Sequence, residues 1–174
     1  MNKEERDFSL WLLPEERLGA SLQLMIDHLA MRFGAPAFYP HLTLLGQIKT
    51  DFDAADDLTT QLTDFLPSLS LRAQAIDHSH GYFRCLYVSV VSDSRLLAAY
   101  RQACRLFNTK PEFFRPHISL LYGKLSSMQR RRLISRLNVP TQTLPMNRLA
   151  LVDMSEGKQP RYWRVRKEYP LPDA

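Results

Sequence analysis

The chain has 174 residues, of which 45% are hydrophobic and 24% charged, ordinary globular values that supply a core for one domain or two tightly joined lobes. A formal charge of +5 with a pI near 9.4 favours an anionic ligand without requiring nucleic acid. The opening Met1–Asp7 is polar, unlike a secretory signal, and no apolar run approaches membrane-spanning length, so a cytoplasmic chain with no membrane partner is expected.

Asp7 to Leu13 reads as an apolar strand ended by Pro14. Leu18 to Phe33 places Leu22, Leu24, Met25, Leu29 and Phe33 at helical spacing, and Gly34 stops the helix. A strand opened by Pro40 follows, proline being tolerated at a strand's first residue. Asp51 or Asp53 can cap a second helix that runs to about Leu66. A strand near Ser70–Ile76 lies outside the pattern that comes next.

The second half then replays the first. Cys85–Val91 is a β-branched strand, Ser94–Phe107 a helix, and Asn108–Pro116 a loop before another strand. Ser126 or Ser127 caps a helix over Met128–Leu137, and strands near Leu149–Asp153 and Tyr162–Glu168 end the chain. Cys85 and Cys104, the only cysteines, fall in apolar segments and are expected to be buried thiols rather than a disulfide or zinc ligands.

The replayed strands carry a shared octapeptide. Phe38-Tyr39-Pro40-His41-Leu42-Thr43-Leu44-Leu45 recurs as Phe114-Arg115-Pro116-His117-Ile118-Ser119-Leu120-Leu121, 76 positions on. Because strand side chains alternate, each copy sets an imidazole and a hydroxyl on one face about 6.6 Å apart. Two such pairs across a cleft supply two acid/base groups and two anion-binding hydroxyls. The fold expected is α+β, with two pseudo-symmetric lobes whose sheets face a shared cleft.

A lone histidine in an apolar strand is usually structural, but the shared Phe, Pro and leucines, and the shared place in the order of elements, favour catalysis. His28 falls on the first helix, outside any such frame. Asp77-His78-Ser79-His80-Gly81 offers two histidines near a turn, but no Cys/His spacing of a metal site is present. No metal and no cofactor is expected. Arg130-Arg131-Arg132 reads as a solvated helix face or as a guide for a polyanionic RNA tail.

These motifs resemble the 2H phosphoesterase superfamily, with its LigT-like RNA ligase/phosphodiesterases, and most of all the plant and yeast cyclic phosphodiesterase branch. Ser9-Leu10-Trp11-Leu12-Leu13-Pro14, Gly81-Tyr82-Phe83-Arg84-Cys85, the second motif with Tyr122, and Asn147-Arg148-Leu149-Ala150-Leu151 are similar to segments of that branch. Arg84 stands where that branch would have a neutral amide. The resemblance implies one two-lobed domain over residues 1–174, LigT-like in fold.

It further implies a metal-independent opening of ADP-ribose 1″,2″-cyclic phosphate or nucleoside 2′,3′-cyclic phosphates, with RNA 2′,3′-cyclic ends or 2′-5′ linkages as the alternative substrates. His41 and His117 would be catalytic, and Thr43, Ser119 and Tyr122 would bind phosphate. Trp11 and Phe83 would wall the base or sugar. The residues alone leave open which histidine is the base; the resemblance implies that His117 activates water and His41 is the acid. Strand parity sends Tyr122, five residues after His117, to the opposite face unless a bulge intervenes. Core packing is the alternative reading of Trp11 and Phe83. A monomer binding a small cyclic-phosphate nucleotide is expected.

Overall fold

A computed structural model describes residues 4–139 and 141–173. Among these, the chain runs β1 (Arg6–Pro14), α1 (Glu16–Phe33), β2 (Leu42–Thr50), α2 (Phe52–Thr63) and β3 (Leu69–Asp77). It continues β4 (Leu86–Val90), α3 (Ser94–Leu106), β5 (His117–Leu121), α4 (Ser127–Ile134), β6 (Thr143–Asp153) and β7 (Arg164–Pro170). No helix among the described residues is long and apolar enough to cross a membrane.

The helix ends are set by local chemistry. Gly34, at φ 61°, takes the left-handed conformation that closes α1, and its N–H donates to Ala30. Asp51 and Asp93 accept from the first-turn N–H groups of Ala54 and Leu96. Ser126 and Gln129 cap α4 reciprocally. The late strands differ most from expectation. The last but one starts at Thr143 rather than near Leu149, and Tyr162 belongs to a 3-10 turn (Pro160–Tyr162) instead of the last strand. Pro160 pre-sets that turn, since its ring fixes φ.

All pairings are antiparallel, and the strands follow the order β1-β2-β5-β4-β3-β6-β7, with β1 also joined to β6. One lobe is β2-β1-β6-β7 and the other β5-β4-β3. The long β6 bridges them, pairing β3 along Thr143–Met146 and β7 along Arg148–Asp153. The lobes meet again where Leu42 pairs with Ile118. Helix α1 packs on β5 and α3 on β2, so each lobe's helix covers the other lobe's motif strand.

Alternation along β1 divides the molecule. Phe8, Leu10 and Leu12 enter the main core, while Trp11 and Leu13 form a second cluster with Ala150 and Val152 on the opposite face. Each fully buried aliphatic of the main core contributes about 1.5–3 kcal/mol. Cys85 and Cys104 are buried, free thiols.

The paired leucines of the octapeptide have a specific cause. In β2 the register passes from Trp11↔Thr43 to Leu10↔Leu45, and in β5 from Tyr87↔Ser119 to Leu86↔Leu121. Leu44 and Leu120 are thus extra residues at equivalent bulges. Consecutive leucines then all point inward, Leu44, Leu45, Leu120 and Leu121 being at most 8% exposed. Beyond each bulge the parity is reversed.

Candidate active site

His41, Thr43, His117, Ser119, Tyr122, Trp11 and Phe83 line one cleft of about 370 Å³ on the side of the sheet away from the main core. A larger groove of about 700 Å³, beside Pro14, Gly19 and Tyr39, contains neither motif histidine nor either hydroxyl and lacks this convergence of groups. The smaller cleft is therefore the candidate active site.

Each histidine is held in the same way. His41 Nδ1 donates to the Tyr39 carbonyl at 2.6 Å, and His117 Nδ1 donates to the Arg115 carbonyl at 2.8 Å. A carbonyl can only accept, so both imidazoles carry their proton on Nδ1 and leave Nε2 for chemistry. The Leu42↔Ile118 pairing sets His41 across from Ser119, and Thr43 across from His117.

The surroundings differ between the two. His41 is 7% exposed and lies flat on Trp11, ring centres 3.6 Å apart at 8°. The Trp11 indole is fixed in turn by donating to Ser9 Oγ at 2.9 Å. Burial, helped by the nearby His117 charge, pushes His41 down to about 4 from the usual 6.5. His117 is half-buried. Burial and then the Arg84 guanidinium lower it as well, against the pull of the Arg115 carbonyl.

Tyr122 reaches the cleft because the Leu120 bulge reverses the parity that would have sent it to the core. Its ring stacks on Phe38 at 3.7 Å and 17°. Burial drives its phenol up, partly offset by Ser119, so it stays a protonated donor. Gly46 stands at the equivalent place after the first bulge and also faces the cleft. Tyrosine fills one half of the site where glycine leaves the other open. Ser119 Oγ donates to the Phe83 carbonyl at 2.8 Å, while Thr43 is exposed on the cleft wall.

Sequence reasoning missed several neighbours. Tyr87 lies edge-on to His117 at 5.3 Å and pairs with Ser119 as Trp11 pairs with Thr43. Both aromatics precede their histidine by 30 positions, so the repeat offset would have found Tyr87. Trp163 and Lys158 come from the β6–β7 connection, outside the repeat, and no sequence signal marks them. Trp163 stands edge-on to Trp11 at 5.6 Å. Arg84 and Lys158 both line the cleft, and neither has an ion pair among the described residues. His80 accepts from Arg130 at 3.2 Å, and that adjacent guanidinium opposes a metal ion there.

A bilobal antiparallel fold with paired H-Φ-[T/S] strands around one cleft defines a 2H phosphoesterase. Residues 7–147 match the family described as cyclic phosphodiesterase-like protein. The chain belongs to that family and is a phosphodiesterase. It is 24% identical to the cyclic phosphodiesterase of Arabidopsis thaliana over 95% of this chain and 96% of that protein. Its fold is similar to Escherichia coli LigT complexed with 3′-AMP, at TM-score 0.63 and 14% identity, covering 97% of this chain and 99% of that one. A Thermus thermophilus protein, TT0787, is similar at TM-score 0.59 and 18% identity, over 96% and 98% of the two chains.

Proposed function

We propose that the protein opens small cyclic phosphates, ADP-ribose 1″,2″-cyclic phosphate or nucleoside 2′,3′-cyclic phosphates, to phosphomonoesters by metal-independent acid/base catalysis. The carrying observation is the pair of imidazoles in one cleft, each locked with Nδ1 on a backbone carbonyl and Nε2 available. Water attacks phosphorus and loses a proton to one Nε2. The other Nε2–H protonates the ribose oxygen as its bond to phosphorus breaks. Thr43 and the Tyr122 phenol donate to the non-bridging oxygens, where charge is held through the transition state, and the Ser119 hydroxyl joins them by turning its one proton from the Phe83 carbonyl to the bound phosphate.

The two environments support a division of labour. The group that must be neutral is the one harder to protonate, which is the buried His41; His117, nearer the rim, supplies the proton. This reverses the roles implied by family resemblance. Trp11 and Phe83 wall the base or sugar. Arg84 and Lys158 suit a substrate with a second anionic group, which favours an ADP-ribose cyclic phosphate.

The test is hydrolysis of both substrates in excess EDTA, alongside an oligonucleotide with a 2′,3′-cyclic end. Turnover of the small substrates should persist. Abolition by chelator with rescue by a divalent ion sinks the mechanism, and strong preference for the oligonucleotide replaces the substrate assignment with the RNA-end one.

A further inference from the structure

Arg130 belongs to the basic run expected to be a solvated face or an RNA guide, and it is neither. Arg131 and Arg132 are exposed, but Arg130 is 4% exposed. Its guanidinium donates through Nη1 to the Ser79 carbonyl at 2.9 Å, and through Nη2 to His80 Nδ1 at 3.2 Å and Ser127 Oγ at 3.3 Å. Among the described residues no carboxylate pairs with it, and Nε has no partner. Burying a cation against neutral acceptors costs stability, so its retention calls for a positional reason.

The residues it holds lead to the cleft. Ser79, whose carbonyl Arg130 grips, clamps the far end of the same loop. Its N–H and its Oγ both donate to the Arg84 carbonyl at 2.9 Å. The Arg84 N–H returns to Gly81, and Gly123 N–H ties Tyr82 to the segment just after Tyr122. Inside this closed loop sits Phe83. Its carbonyl takes the Ser119 proton at 2.8 Å, and its ring stands edge-on to Tyr122 at 5.3 Å.

We infer that Arg130 is a positioning residue for the phosphate site, bracing the Ser79–Arg84 loop so that the Phe83 carbonyl parks Ser119 Oγ beside the phosphate position, ready to turn its proton to a bound substrate, and the Phe83 ring closes the cleft. This rests on the reading of Ser119 as a phosphate donor. Arg130 touches no reacting atom and acts only through the loop.

A double-mutant cycle on a 2′,3′-cyclic nucleotide, run well below every variant's unfolding midpoint, tests this. Arg130→Met should lower kcat/KM on the order of 10-fold in the wild-type background but less than about 3-fold in Ser119→Ala, because coupled residues are not additive. The pH profile should keep its limbs, and Arg131→Met should match wild type. Equal losses in both backgrounds, or no loss with Ser119 present, overturn the inference. If Ser119→Ala alone leaves turnover unchanged, the site reading itself has failed. Should Arg130→Met not fold, Arg130→Lys, which can reach one acceptor but not all three, goes through the same cycle with the same criteria.

Discussion

Leu42 faces Ile118 in the bridge that joins β2 to β5, and each residue directly follows a motif histidine. The local twofold axis therefore passes through this pair. One antiparallel contact brings two octapeptides 76 positions apart into a single site. It also crosses them, so each histidine lies opposite the hydroxyl of the other copy.

Removing either imidazole should separate the two roles. On a cyclic phosphate, His41→Ala and His117→Ala should each lose roughly 10²–10⁴-fold in kcat. A diester with a 4-nitrophenolate leaving group needs no proton. On it His117→Ala should recover most of its loss while His41→Ala does not. Recovery by His41→Ala instead would return the roles to those the resemblance implies.

The pH profile of kcat/KM, which reports the free enzyme, should be bell-shaped and displaced toward acid. Its lower limb should fall near pH 4, where His41 becomes protonated, and its upper limb below 6.5, where His117 loses its proton. Bound substrate is anionic and should move both limbs of kcat upward. An optimum above pH 8 in kcat/KM contradicts the assignment.

Tyr122→Phe keeps the stack on Phe38 and deletes one donor. Stability should stay near wild type while kcat falls about 10-fold or more, the worth of a hydrogen bond to a charged oxygen. Unchanged kinetics would reduce Tyr122 to a packing residue. Tyr122→Ala, by contrast, should also lower the unfolding midpoint.

Burial of neutral His41 makes stability acid-sensitive. Its folded value of about 4 lies below the usual 6.5, so folding favours the neutral form. The contribution, roughly 3 kcal/mol, is whole above pH 6.5 and is lost as pH falls from 6.5 to 4. Urea unfolding of wild type should weaken across that window, and His41→Phe should flatten the dependence there. Parallel curves for the two proteins would remove His41 as the source.

Arg84→Gln and Lys158→Gln should each cost several-fold in kcat/KM for ADP-ribose 1″,2″-cyclic phosphate, and little for a nucleoside 2′,3′-cyclic phosphate at moderate salt. Steady-state kinetics on the two substrates read the ratio. Equal losses on both would place these cations at the reacting phosphate instead.

The sequence by itself determined the repeat, the order of strands and helices within it, and the side chains brought together at its centre. These follow from local rules: the period of two in His41/Thr43 and His117/Ser119, the stop at Gly34, and caps such as Asp51 and Ser126. What parity could not decide was Tyr122, because a bulge is created by pairing with a neighbouring strand, and Leu86 and Tyr87 belong to another segment. Nor could it separate the histidines. Their copies are alike in sequence, and only packing lays Trp11 flat on one ring and leaves the other near the rim. Arg130 shows the same limit: its two exposed neighbours are equally basic, and burial against Ser79 and His80 exists only once α4 docks on a loop some 50 residues earlier in the chain. Charge and periodicity act along the chain, whereas desolvation and register depend on what the folded chain places beside it.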